Sequence, residues 1–214
     1  MRNLVVGTFL TVDGVMQAPG GPEEDTEGGF RHGGWSVSYW DEEMGRLITE
    51  STLQGDALVL GRTTYQIFAA HWPNVSGDDP VAAKLNSMPK YVASRTLKQV
   101  TWNNSRLLEG DVAEAVRALK QQPGGDIQVT GSGNLAQTLI EADLVDRYQL
   151  WVFPIVLGEG KRLFAHGAIP AALKLVDTKT SRTGVAIHTY ERAGAIQYGS
   201  FEVDQAGKAE VLWT

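Results

Sequence analysis

Short β-prone runs alternate with helix-like patterns along the first two-thirds of the chain. In the helix-like stretches apolar residues recur three or four positions apart, most clearly over 112–121. Past residue 146 the strand pattern continues without helices, and 173–178 with 185–191 predict an antiparallel pair. The β-prone runs lie at 3–10, 57–60, 91–93, 127–130 and 146–153. The pattern predicts a three-layer α/β fold with a mixed central sheet, helices on both faces and an antiparallel C-terminal edge.

A segment rich in glycine and proline, residues 17–34, interrupts this pattern and predicts a long loop. Such a loop is a lid, a binding loop or a disordered insertion, and its acidic part also fits a solvated insertion. Trp35, Tyr39 and Trp40 follow, and exposed aromatic rings are costly unless they cover a ligand or a partner. We therefore expect Trp35 and Trp40 to form the wall of a substrate pocket.

Composition and charge narrow the classes of function. The net charge is −6 and the pI is near 5.2, which argues against a general binder of nucleic acid or anionic membranes, because both need a basic face. The sequence has no cysteine, which excludes disulfides, thiol nucleophiles and cysteine-ligated zinc. Its four histidines are scattered without metal-ligand spacing. We expect a cytoplasmic protein without a metal, since no apolar run reaches the roughly 20 residues of a membrane span.

Three of the predicted strands run into turns that carry glycine, hydroxyl or guanidinium groups. Ligands of α/β sheets bind at the carboxyl ends of the strands, where unpaired helix N–H groups favour phosphate. Glycines at 131 and 133 remove Cβ atoms and permit positive φ. The candidate residues are Gly61, Arg62, Thr63 and Thr64 after the strand at 57–60, Ser94 and Arg95 after the strand at 91–93, and Thr130, Gly131, Ser132, Gly133, Asn134 and Leu135 at the end of the strand at 127–130.

Two interpretations of these turns stay open. Two guanidinium groups near one phosphate suit a 2′-phosphate or a pyrophosphate better than a neutral sugar. Alternatively, each arginine is a solvated surface residue, and the Gly-Ser-Gly sequence at 131–133 only turns the chain.

Five motifs, in order, resemble the reductase domain of riboflavin biosynthesis and its dihydrofolate reductase-like relatives. They are Thr11-Val12-Asp13-Gly14-Val15-Met16, Gly61-Arg62-Thr63-Thr64-Tyr65 with Phe68 and Trp72, Ala93-Ser94-Arg95-Thr96, Thr130-Gly131-Ser132-Gly133-Asn134-Leu135, and Pro154-Ile155-Val156-Leu157-Gly158-Glu159-Gly160 with Leu163 and Phe164. The resemblance spans residues 1–193, which it implies form one reductase-like domain. Residues 194–214 would then be a C-terminal strand or arm.

The resemblance implies a dihydrofolate reductase-like fold, NADPH as the cofactor and a homodimer. It implies that Arg62, Thr63 and Thr64, with Ser94 and Arg95, hold the adenosine phosphates, and that 131–135 hold the pyrophosphate. Asp13 and Gly14 would begin the loop that closes over the nicotinamide. Where dihydrofolate reductases have a Gly-Gly pair, this chain has Gly131 and Ser132.

The candidate catalytic residues are Asp41 and Asp13. Dihydrofolate reductases place a carboxylate on the first helix, and here that helix start offers only Asp41, Glu42 and Glu43. Each aspartate also has a structural explanation, because Asp-Gly favours turns and aspartate caps helices. In the catalytic interpretation, the nearby rings exclude water and raise the pKa of Asp41 toward the range of a proton donor.

The sequence thus predicts an NADPH-dependent oxidoreductase that transfers a hydride to a small heterocyclic or conjugated, pterin- or pyrimidine-like, substrate. A non-catalytic NADP(H)-binding module is the alternative, and a structural dimerisation protein is a third. Neither nucleic acid nor membrane is expected as a partner.

Overall fold

The computed structural model describes residues 1–75, 77–164, 169–203 and 208–213. Within these ranges the α-helices are Glu42–Gln54 (α1), Arg62–His71 (α2), Pro80–Ser87 (α3), Val112–Gln121 (α4) and Gly133–Glu141 (α5). The strands are Leu4–Thr11 (β1), Gly55–Gly61 (β2), Lys90–Ala93 (β3), Ser105–Leu107 (β4), Asp126–Thr130 (β5), Arg147–Phe153 (β6), Leu173–Thr180 (β7), Ala186–Arg192 (β8), Gly199–Val203 (β9) and Ala209–Trp213 (β10). His166 and part of the 194–214 segment lie outside the described residues.

Eight of the strands form one mixed sheet in the order β4-β3-β2-β5-β1-β6-β8-β7. The neighbours from β4 to β6 are parallel, whereas β6–β8 and β8–β7 are antiparallel. The mixed sheet and its antiparallel C-terminal edge are therefore confirmed. The strand β4 was not predicted from the sequence, because its three residues are too few to show a period.

Alternating residues of each central strand bury opposite faces of the sheet. On β2, Ala57 and Val59 pack with α4 and α5, while Leu58 and Leu60 pack with α2 and α3. The helix α1 covers the second face farther along, where Met44 and Leu47 meet aromatic residues of β6. Helices cover both faces, so the three-layer arrangement is confirmed.

The expected position of Trp35 is wrong. Its side chain is 7% exposed, it meets Phe153 edge-on at 5.2 Å, and its indole N–H donates to the carbonyl of Gln17 at 2.7 Å. The ring belongs to the core beneath α1, because the hydrogen bond satisfies its polar end there. Too little of its surface is accessible to form a pocket wall.

The 17–34 loop is irregular apart from one short 3-10 turn at Glu27–Gly29, and it is tied to the body of the protein. The buried Gln17 side chain donates to the carbonyls of Asp25 and Glu27 and accepts the backbone N–H of Lys161. The Lys161 ammonium pairs with both acidic side chains. These contacts connect the loop to the segment that follows β6.

Candidate functional site

The carboxyl ends of β3, β2 and β5 lie side by side, because the three strands are parallel neighbours in the sheet. The turns predicted to carry the cofactor-binding residues follow these ends, so the structure brings them together. The turn after β2 runs directly into α2, and the turn after β5 runs directly into α5.

Arg62, the first residue of α2, joins two of these turns. Its guanidinium is exposed and donates to Thr96 Oγ1, beyond the end of β3, at 3.1 Å. In the same turn the Ser94 hydroxyl accepts the backbone N–H groups of Thr96 and Leu97. Arg95 is exposed, and no ion pair or hydrogen bond of its side chain is seen among the described residues. Two guanidinium groups thus lie at adjacent turns, and no carboxylate of the described residues pairs with either.

The turn after β5 has an unusual backbone. Gly131 and Ser132 both have positive φ, at 56° and 54°, so the left-handed glycine expected at 131 is confirmed. The same expectation for Gly133 is wrong, because Ser132 takes the second left-handed position. A Cβ added at Gly133 would come within 3.2 Å of Met16 Sδ, so this glycine makes room for the residues that follow β1.

The first turns of α2 and α5 have no side-chain cap. The N-cap residues are Gly61, which has no side chain, and Ser132, whose hydroxyl accepts none of the helix N–H groups. Those N–H groups, from Arg62, Thr63 and Thr64 in one helix and from residues 133–135 in the other, carry the positive end of the helix dipole. Thr130 ends β5 just before this turn and Asn134 belongs to the second group, while the Leu135 side chain is buried in the core and leaves only its backbone for a ligand.

Asp13 anchors the segment that follows β6. Its carboxylate accepts hydrogen bonds from the Thr11 hydroxyl at 2.6 Å and the backbone N–H groups of Leu157 and Gly158 at 3.2 and 2.8 Å. The Thr11 hydrogen bond, helped by these backbone donors, lowers the pKa of Asp13 to about 2. Such a carboxylate is ionised at neutral pH, which suits an anchor and argues against a proton donor.

Asp41 caps α1, as expected. One carboxylate oxygen accepts the backbone N–H of Met44 at 2.8 Å, and the other accepts that of Arg182, in the turn between β7 and β8, at 2.9 Å. Both oxygens therefore serve the backbone, and the structural interpretation of this residue accounts for all of its observed hydrogen bonds.

Trp40 is the aromatic residue that does face outward. Its side chain is 49% exposed, and its ring lies 6.4 Å from that of Phe9, which packs in turn on Trp151 and Phe153 at 5.6 and 5.1 Å. The core behind Phe9 holds this pair in place. Trp40 and Phe9 thus form an apolar aromatic wall beside the start of α1. The contact of Trp40 with a substrate stays a prediction.

Residues 2–188 match the family model of the RibD C-terminal domain. The chain belongs to this family. Its relatives include the uncharacterized Bacillus subtilis protein YyaP, 30% identical over 198 residues that cover 90% of this chain and 96% of YyaP. The uncharacterized YwjB of the same organism is 31% identical over 138 residues, which cover 64% of this chain and 74% of YwjB.

Two solved structures share the fold. A protein assigned to riboflavin biosynthesis from Shewanella sp. PV-4 aligns with a TM-score of 0.67 at 20% identity, over 90% of this chain and 99% of that one. A pyrimidine reductase-like protein from Corynebacterium diphtheriae aligns with a TM-score of 0.62 at 13% identity, over 91% and 93%. They confirm the dihydrofolate reductase-like α/β fold of this RibD C-terminal domain.

The structure adds residues to the site of this RibD C-terminal domain that the sequence did not single out. Met16 packs at Gly133, and Phe9 backs Trp40. A cavity of about 370 Å³, with Gln17 in its lining, opens between Phe30 in the 17–34 loop and residues 159–161. The Asp13-Gly14 turn after β1 was the sequence feature that could have indicated these residues. The described residues include no group of His, Asp or Glu fit to hold a metal and no helix able to cross a membrane.

Proposed function

We propose that this protein is an NADPH-dependent oxidoreductase that transfers a hydride to a small heterocyclic or conjugated substrate, pterin- or pyrimidine-like. Membership of the RibD C-terminal domain family supports a reductase. The pyrimidine reductase-like neighbour supports a flat nitrogen heterocycle as the kind of substrate.

The observation that carries the cofactor proposal is the pair of open helix starts at neighbouring strand ends. Two uncapped helix starts offer N–H groups, and nearby are two arginines that pair with no carboxylate in the described part of the chain. Together they provide donors for two separate phosphate groups. A dinucleotide with a 2′-phosphate carries such groups at the 2′ and 5′ positions of its adenosine ribose. These residues therefore fit NADPH.

Each group has a role in the proposed reaction. Arg62 and Arg95 bind the 2′-phosphate, and the first turn of α5 binds the pyrophosphate. When bound, NADPH supplies the hydride. The wall of Trp40 and Phe9 stacks on a flat substrate and excludes water from one side of it. Because Asp13 and Asp41 are engaged by backbone N–H groups, the proton comes from solvent in this proposal.

The same engagement of both carboxylates favours the second candidate, a module that binds NADP(H) without turnover. Measurements of NADPH binding and of NADPH oxidation distinguish the reductase from the binding module. We expect NADPH to raise the melting temperature and to be oxidised when pyrimidine, pterin and quinone acceptors are offered in turn. A shift without oxidation by any acceptor supports the binding module, and the absence of any shift refutes both.

We also propose that the protein is a homodimer through its C-terminal hairpin. β9 and β10 form a separate antiparallel sheet, and Phe201 and Trp213 on it are 86% and 75% exposed. An isolated two-stranded hairpin is marginal in water, so these rings favour burial against a second copy. Truncation after Ala193 should give monomers in light scattering. A dimer that survives the truncation places the interface elsewhere.

A further inference from the structure

Ser132 begins α5 but does not cap it. Its backbone is left-handed, at φ 54° and ψ 52°, a conformation that is strained for any residue with a Cβ and free for glycine. An N-cap serine normally has an extended backbone and accepts an N–H from the first helical turn, and this hydroxyl makes no such bond. The chain therefore carries a serine where glycine is conformationally better, which suggests another use for its hydroxyl.

That hydroxyl reaches the neighbouring strand end instead. Ser132 Oγ accepts the backbone N–H of Gly61 at 3.0 Å and donates to the carbonyl of Thr130 at 3.1 Å. The backbone N–H of Ser132 donates to Thr64 Oγ1 at 3.2 Å. Two hydrogen bonds thus join the start of α5 to the start of α2, between residues 71 and 68 positions apart in the chain.

We propose that Ser132 is a positioning residue that sets the separation between the two open helix starts. The inference rests on the proposed cofactor, whose 2′-phosphate and pyrophosphate would each meet one of those starts. Two linked groups bind as one unit only when the protein holds their sites at the matching distance before binding. The hydrogen bond from the Gly61 N–H to Ser132 Oγ fixes the distance between the two starts. Because the hydroxyl is turned toward Gly61, it also leaves the first N–H groups of α5 without a side-chain acceptor.

The test uses Ser132→Gly, which keeps the left-handed backbone and the N–H that reaches Thr64 but removes the hydroxyl. We expect NADPH affinity, measured by calorimetry, to fall by about fivefold to tenfold, the effect of losing one hydrogen bond. Two fragments of the cofactor each carry only one of these groups: 2′-AMP has the 2′-phosphate, and ADP has the 5′-pyrophosphate. Each should lose less than about twofold in affinity, because neither meets both sites at once.

A second measurement needs no ligand. In the wild-type protein the Gly61 amide hydrogen should exchange slowly because it is bonded to Ser132 Oγ, and it should exchange faster in Ser132→Gly. The matched control is Ser51→Ala, which removes another bridging serine hydroxyl, bonded to Gln149 Oε1 at 2.6 Å. The control should change neither NADPH affinity nor Gly61 exchange.

The outcomes separate the two proposals. Wild-type protein that binds neither NADPH nor the two fragments refutes the proposed function and the role of Ser132 with it. If the wild type binds NADPH and Ser132→Gly binds it equally well, only the positioning role is overturned. The same holds if both 2′-AMP and ADP weaken as much as NADPH, which would indicate a direct contact, or if Gly61 exchange does not change.

Discussion

The helix starts of this protein fall into two groups. α1, α3 and α4 begin at Asp41, Asp79 and Asp111, and each carboxylate accepts the N–H of the third helical residue at 2.8 to 2.9 Å. α2 and α5 begin at Gly61 and Ser132 and have no side-chain cap. The capped helices are reached through loops, whereas the two open helices follow directly on parallel strands.

This difference separates helix starts that a cap stabilises from helix starts whose N–H groups are open to a ligand. An aspartate cap stabilises a helix by about 1 kcal/mol, and each described α-helix that follows a loop has one. At a phosphate site the same carboxylate would occupy the N–H donors and repel the ligand. Among the described α-helices, the two starts without a cap are joined through Gly61 and Ser132, and Arg62 lies at one of them, so the pattern of caps and the pattern of charges indicate the same place.

The largest effect should come from Arg62, at the open start of α2, and Arg95, in the adjacent turn after β3. If they bind the 2′-phosphate, NADPH binds more tightly than NADH by about 1–3 kcal/mol, the range for charge-assisted hydrogen bonds. Arg62→Ala and Arg95→Ala should each reduce that difference in calorimetric titrations. Arg46→Ala, which removes an exposed arginine paired with glutamates on the capped helix α1, is the control and should leave it unchanged. Equal affinities for the two cofactors in the wild type contradict the assignment.

The comparison can also be reversed by capping an open start. Gly61 has φ −71° and ψ 159°, which a capping aspartate adopts, and an added Cβ would meet Ser132 at 3.5 Å and Leu135 at 3.8 Å, both ordinary contacts. Gly61→Asp should keep or slightly raise the free energy of unfolding while NADPH affinity falls about tenfold, because the carboxylate competes with phosphate. Gly61→Asn caps without charge and should lose less affinity. Unimpaired NADPH binding by Gly61→Asp would show that this helix start does not bind the cofactor.

Much of this architecture was readable from the sequence. The bounds of α4 were predicted to the residue, since its apolar spacing is regular and a Pro-Gly-Gly turn follows it. The strand ends that form the site were predicted because glycine and hydroxyl residues interrupt apolar runs. The left-handed backbone of Ser132 was not predicted, because the hydrogen bond that its hydroxyl accepts comes from Gly61, which is remote in the sequence. Nor was the burial of Trp35, because an irregular loop has no period that indicates which side faces inward.

Asp13 resembles the capping aspartates, since its carboxylate also accepts backbone N–H groups. The dependence of the free energy of unfolding on pH should show this. Its pKa of about 2 lies below the ordinary 3.8, so its contribution to stability is full above about pH 4 and is lost as the pH falls toward 2. After allowance for solvent screening we expect about 1 kcal/mol. Urea unfolding of wild type and Asp13→Asn should differ by that amount at about pH 6 and converge at about pH 2. A difference that persists in acid would assign the effect to something other than the charge.

The smallest effect is expected at Asp41, and it decides whether any aspartate at a helix start takes part in the reaction. Asparagine caps helices nearly as well as aspartate, so Asp41→Asn keeps the bond from Met44 and loses the oxygen that accepts the N–H of Arg182. Because that N–H is exposed, water can replace the lost acceptor, and the free energy of unfolding should fall by about 0.5 kcal/mol. Turnover with NADPH should stay within about twofold of the wild type, since a cap transfers no proton. If turnover instead fell by about 10²-fold at unchanged NADPH affinity, the scale for a lost general acid, Asp41 would be a catalytic residue as well as a cap.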